Sequence, residues 1–167
     1  MSEGINRWSS VSGLSLNYQA NDDGAPFVGS PGNGLRGDIR IGGHAIDGSS
    51  GVLAYNFLPI SGGDGVIDTA GNSYLNQIND WRKVRNVVTH ELANGLGLLH
   101  TTGISNNLMN ATTAATPSFD GPQLDDILGI QRHYGDANEK GAGNDTMATA
   151  TNIGPLGSGF PVVIGAD

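Results

Sequence analysis

Apolar positions along the chain change their period twice. In "INRWSSVSGLSLNY", Ile5 and Trp8 give way to alternation at Leu14, Leu16 and Tyr18, which predicts a helix end running into a strand. "GDIRIGGHAIDG" alternates at Ile39 and Ile41, a short strand ahead of a glycine-rich loop. "GVLAYNFLP" is rich in β-formers and stops at Pro59; it is the clearest strand. "GGDGVIDTAG" reads as loop, short strand and loop. From about Asp80 the spacing turns helical, with Trp81, Val84, Val88, Leu92 and Leu96 on one stripe and Asp80 placed to cap the start. Gly95 and Gly97 weaken its far end, so this helix should stop near Gly97. "DGPQLDDILGIQRHYG" predicts a second helix: Pro122 in the first turn, acids behind it, Leu124, Ile127 and Ile130 on one face, and Gly135 past the end. After Gly135 the residues are small and polar, which reads as a linker, and "GFPVVIGAD" ends in a strand-like run. A boundary near residue 136 follows.

Composition narrows the partners. The chain has 167 residues, enough for one domain with a core and a short appendage. Its 27 glycines and 14% charged residues describe a loop-rich construction. A net charge of -8 argues against nucleic acid or an anionic membrane and makes calcium a natural counterion. No cysteine is present, so disulfides and thiolate zinc sites are excluded. No apolar run approaches the roughly 20 residues of a membrane helix. "MSEGINRW" lacks the apolar centre of a signal peptide, so an exported protein would be represented here by a trimmed piece.

The stretch "VVTHELANGLGLLHTTG" carries the chemistry. Residues four apart on a helix share a face, so positions 90 and 94 project to one point. Two imidazoles there hold zinc, and the Glu after the first takes a proton from zinc-bound water. Gly97 would let the chain leave the helix with positive φ, so that His100 meets the same metal from another side. His90, Glu91, Gly97 and His100 fit H-E-x-x-H-x-x-G-x-x-H, whereas Asn94 stands where the central histidine belongs.

The segment resembles the metzincin zinc proteases, and among them the matrixins. "NNLMNA" supplies Met109 where a methionine turn is due, and "SFDGPQLDDILGIQRHYG" is similar to the last helix of matrixin catalytic domains. "DIRI", "DGSSGVLAYNF" and "GGDGVID" follow in matrixin order as strand, calcium loop, edge strand and next strand. The resemblance covers about Ile5 to Gly135. "GNDTMATATNIG" is similar to the start of a C-terminal domain of secreted bacterial peptidases. It implies a catalytic domain over 1–135, with 136–167 a linker and the start of a truncated domain.

The implied fold is α/β (α+β): a twisted, mostly parallel sheet packed on the active-site helix, with the Met-turn and C-terminal helix below. The implied activity is endopeptidase hydrolysis of a protein or peptide substrate by a secreted, bacterial, monomeric enzyme. His90, Asn94 and His100 occupy the zinc-ligand positions, Glu91 that of the general base, and Met109 the apolar floor. Asp47, Asp64 and Asp68 match positions that bind structural calcium. A second, structural zinc site is expected to be missing, since Tyr55 and Val66 stand at its histidine positions. His44 does not align with a ligand and reads as an exposed loop histidine; His133 reads as a partner of the last helix's dipole. Gly51 to Phe57 would hold substrate by strand addition, and Asn110 to Phe119 would wall its side-chain pocket.

An amide is a poor zinc ligand beside imidazole, so Asn94 should cost more than the roughly 10–100-fold typical of losing an outer partner. Three explanations stand open: a change introduced to silence a self-digesting protease, a natural pseudoprotease that binds peptides as a calcium-stabilised module, or an amide that still coordinates, directly or through water. A further alternative is a calcium-stabilised domain whose function lies in a missing C-terminal partner.

Overall fold

Ile5 and Trp8 lie on one side of the first helix, α1 (Ser2–Val11), and that side is what the helix buries. The computed structural model describes residues 1–21, 38–49, 51–71, 80–103, 106–112, 118–139 and 146–149. Trp8 is fully buried, and its indole N–H donates to the Thr89 carbonyl at 2.8 Å, so the polar edge of the ring is matched. Gly4 permits the approach, since a Cβ there would stand 2.9 Å from Thr89 Oγ1.

The strand expected at Leu14 to Tyr18 does not form among the described residues. Burial does alternate, with Leu14 and Leu16 half-buried and Ser15 and Asn17 exposed. The Ser9 hydroxyl engages this stretch instead, donating to the Leu14 carbonyl and accepting from the Leu16 amide.

Three strands form one sheet in the order β1-β3-β2: β1 (Ile41–His44), β2 (Ala54–Asn56) and β3 (Gly65–Asp68). β1 runs parallel to β3 and β2 antiparallel to it, so the described part of the sheet is mixed, as the implied α/β metzincin-like domain allows. The antiparallel pair follows from a short connection. A 3₁₀ turn at Pro59–Ser61, then Gly62 and Gly63 with φ of 101° and 73°, reverses the chain within a few residues. β1 starts later than the alternation at Ile39 suggested, because the Arg40 amide donates to the Asp64 carboxylate.

The central helix α2 (Arg82–Gly95) packs on β2 and β3 on one side and on α1 on another. Asp80 does not cap it. Trp81 holds the N-cap position, and both residues are left-handed, with φ of 54° and 62°. At its far end the Leu96 amide bonds the Leu92 carbonyl, Gly97 turns with φ of 100°, and the Leu98 amide returns to the Ala93 carbonyl. The predicted bend at Gly97 is thus formed.

The last helix, α3 (Leu124–Tyr134), starts after a Gln123 N-cap, leaving Pro122 just outside the first turn. Leu124 is 73% exposed and off the packed face, which Asp126 and Ile130 occupy. Tyr134 Oη donates to the Leu96 carbonyl at 2.7 Å and ties the ends of α2 and α3 together. The core joins Trp8, Leu92, Ala93, Leu96, Leu98, Leu108, Met109 and Ile130. Each such large apolar side chain contributes on the order of 1.5–3 kcal/mol by leaving water. The terminal run from Gly159 and residues 140–145 of the linker lie outside the described residues.

Candidate metal centre

The helical phase of α2 and the turn at Gly97 bring two imidazoles together. His90 Nε2 and His100 Nε2 are 3.0 Å apart, close to the edge of about 3.3 Å between nitrogens of a tetrahedral zinc site. His90 Nδ1 lies 2.7 Å from the Leu108 carbonyl oxygen. A carbonyl can only accept, so Nδ1 carries the proton and Nε2 presents its lone pair. Burial holds the His90 pKa below its ordinary value, and His100 adds to this against the pull of the Leu108 carbonyl and Asp126. The ring is therefore neutral at neutral pH, the form that binds metals.

His100 is held from its C-terminal side. The Thr101 amide donates to the Met109 carbonyl at 2.9 Å, Thr101 bridges to Asn110, and buried Asn107 Nδ2 donates to Thr101 Oγ1 at 2.6 Å. The turn carrying Met109 thereby fixes the segment carrying His100. Met109 itself is 1% exposed, within the core cluster that includes Leu92 and Ala93.

Asn94 shares this helix face but does not turn to the imidazoles. Its Nδ2 donates to Glu91 Oε2 over 3.4 Å, and both residues are buried. Burial raises the Glu91 pKa to about 7, with the Asn94 bond pulling the other way. A carboxyl poised there can hold or release a proton at neutral pH. Zinc therefore fits two vertices of this site and not the third, and no cluster of three His, Cys, Asp or Glu side chains occurs among the described residues.

The calcium candidates separate. Asp68 is enclosed and accepts amide hydrogens from Ile46, Gly48 and Ala70. The Ile46 and Ala70 bonds, outweighing burial, lower its pKa. Asp47 lies on the same loop and accepts from the Val52 amide. Asp64 is at the other end of β3, four residues or about 13 Å away at ~3.3 Å per residue. There it accepts the Arg40 amide at 2.9 Å and pairs with its guanidinium at 2.7 Å. Asp47 and Asp68 serve one loop; Asp64 serves another place.

Tyr55 and Val66 face each other in register across β2 and β3. His44 closes β1, exposed, with Nδ1 2.8 Å from the Ala45 carbonyl, and His133 is exposed in the last turn of α3. Of the pocket-wall segment, Asn110 and Phe119 are described, while residues 113–117 lie outside the described set.

Two residues that matter here were not singled out from the sequence. Asp126 had counted only as a first-turn acid, yet it is 2% exposed and accepts the amides of Leu108, Met109 and Gln123. The Gln123-x-x-Asp126 spacing, a capping-box pattern, was the available signal. Asn86 is 2% exposed; its Nδ2 donates to the Phe119 carbonyl and its Oδ1 accepts the Gly121 amide. A polar residue one turn before His90, on the buried side of the helix, was its signal.

Comparison with known proteins bears on the family of the chain. The family model described as matrixin, of the M10 peptidases, matches residues 2–135. Human (Homo sapiens) matrix metalloproteinase-26 is 32% identical over 94 residues, an alignment taking in 56% of this chain and 36% of that protein. The chain thus spans about a third of that relative's length.

Proposed function

The chain belongs to the matrixin family, and on that premise we propose that it is a zinc metalloendopeptidase domain whose centre is reduced to two imidazoles by Asn94. The observation that carries this is the convergence of His90 and His100 Nε2, with the His90 tautomer already set for a metal. Zinc, when bound, supplies Lewis acidity toward the scissile carbonyl and a water. The chain's own residues do the rest. Glu91 accepts a proton at its carboxylate and passes it to the leaving amine. The edge of β2 takes an extended peptide by strand addition, and Asn110 and Phe119 flank the side-chain pocket. Asp47 and Asp68 hold calcium at the 45–52 loop; Asp64, tied to Arg40, is left out of that set.

A second reading, a peptide-binding module without stable zinc, draws support from Asn94, whose amide engages Glu91 rather than the imidazoles. Metal analysis of protein purified without added metal separates the two. Near-stoichiometric zinc supports the enzyme; calcium without zinc supports the binding module.

A further inference from the structure

The Leu108–Met109 peptide group lies between a buried carboxylate and a candidate ligand. Its oxygen, on Leu108, accepts the His90 Nδ1 proton at 2.7 Å. Its N–H, on Met109, donates to Asp126 Oδ1 at 3.0 Å. The preceding amide, on Leu108, donates to the other oxygen, Oδ2, at 2.7 Å, so both carboxylate oxygens grip the turn. Asp126 is 2% exposed, and its third acceptor bond goes to the Gln123 amide at the α3 N-terminus.

We propose that Asp126 is a positioning residue that sets the tautomer and orientation of His90 through this single peptide group. A charged acceptor on the N–H polarises the amide and increases the negative charge on its oxygen, and hydrogen bonds in series strengthen one another in a buried site. A more basic Leu108 oxygen favours the ring form with the proton on Nδ1 and the lone pair on Nε2, directed toward His100. The arrangement does the work of a carboxylate bonded directly to a ligating histidine, with one peptide unit inserted. It also gives α3 a part in the centre that its distance in sequence conceals. The inference rests on the metalloprotease reading only for its consequence, metal affinity; the hydrogen-bond relay belongs to the metal-free chain.

The test is nitrogen-15 NMR of the four histidine rings in the metal-free full chain at pH 8, with zinc titration as the second readout. The unsubstituted chain should show His90 protonated on Nδ1. Asp126→Asn removes the charge and should raise the Nε2-protonated share of His90 several-fold, leaving His44 and His133 unchanged. Zinc affinity should fall about 10–100-fold, as for loss of an outer-shell partner. Because Asp126 also serves the α3 cap, Gln123→Ala provides the cap-only comparison and should leave the His90 ring unchanged. An ester in place of the Leu108–Met109 amide removes the Met109 N–H and also makes the Leu108 oxygen a weaker acceptor, so it should shift the His90 ring at least as far as Asp126→Asn does, even where that variant folds poorly. An unaltered His90 ring in folded Asp126→Asn or in the ester variant would overturn the relay. So would a His90 ring protonated on Nε2 in the unsubstituted chain. A chain that takes up no zinc yet shows the expected ring forms would overturn the protease reading and leave the relay standing.

Discussion

The α2 centre and the 45–52 loop both bring together residues chosen for metal chemistry, and they do so unequally. At α2, two imidazoles ten residues apart meet at 3.0 Å because the helix ends in a left-handed glycine and the Met109 turn fixes both arms. At the loop, two acids stay while the third, Asp64, is drawn off to Arg40 at the opposite end of β3. Side chains converge according to what holds the backbone behind each of them. His90 and His100 each lean on the same turn, through Leu108 and Thr101. Among the described residues the acids are held apart, since a four-residue strand separates Asp64 from Asp68.

The comparison breaks most severely at Glu91. In an Asn94→His background that cleaves a quenched peptide, Glu91→Ala should reduce turnover by about 10²–10⁴, the range for loss of a general base. Retention of more than a tenth of the rate, with the fold intact, would place the chemistry elsewhere.

Gly95 probes the close packing that seats the centre. A Cβ there would come within 2.6 Å of the Gly63 carbonyl oxygen and 2.7 Å of Asn56 Nδ2, pushing α2 off the β2–β3 connection. Gly95→Ala should cost about 1–3 kcal/mol in denaturant unfolding, as overpacking does. An unchanged midpoint would mean that the helix end yields freely.

The 45–52 loop, proposed to hold calcium, should respond more gently. Calcium at about 100 times its Kd would add roughly 2.7 kcal/mol by mass action, so a calcium-selective chelator should lower the Tm by several degrees. Asp47→Ala and Asp68→Ala should each abolish that response, whereas Asp64→Ala should retain it while destabilising the chain by itself. Equal loss in all three variants would restore Asp64 to the set.

The smallest expected effect is acidic. Burial raises the Asp120 pKa, but hydrogen bonds from Arg7 and Arg85, with their charges, outweigh it and hold the group at about 2. Its unfolded value is near 3.9. The stabilisation is therefore fully present above about pH 4 and fades as pH falls through about 2. Asp120→Asn should flatten that part of the stability profile and leave pH 6–8 slopes unaltered, which acid titration by circular dichroism would check.

Much of this was legible in the sequence because it depended on local spacing. The α2 stripe from Val84 to Leu96, the bend at Gly97 and the end of α3 at Gly135 are properties of a few neighbouring residues, and the structure forms each of them, whereas Trp81, expected on the same stripe, stands exposed ahead of the helix. The N-terminus of α2 is not legible in the sequence, because Asp80 has the residue type of a cap while the backbone there is left-handed. The antiparallel direction of β2 was not legible, because strand direction depends on how the Pro59–Gly63 connection turns, which alternation does not encode. Asp126 and Asn86 escaped for a related reason. Their partners, Leu108, Met109, Phe119 and Gly121, are backbone groups distant in sequence, and backbone acceptors leave no mark in residue type.

The central claim is that one side chain separates this centre from a three-nitrogen matrixin site. Zinc affinity of the chain and of Asn94→His, measured by competition against a chelator of known affinity at fixed pH, tests it most directly. Asn94→His should bind zinc at least tenfold more tightly and gain endopeptidase activity that a zinc chelator abolishes. Equal affinities in a folded, inert Asn94→His protein would contradict it.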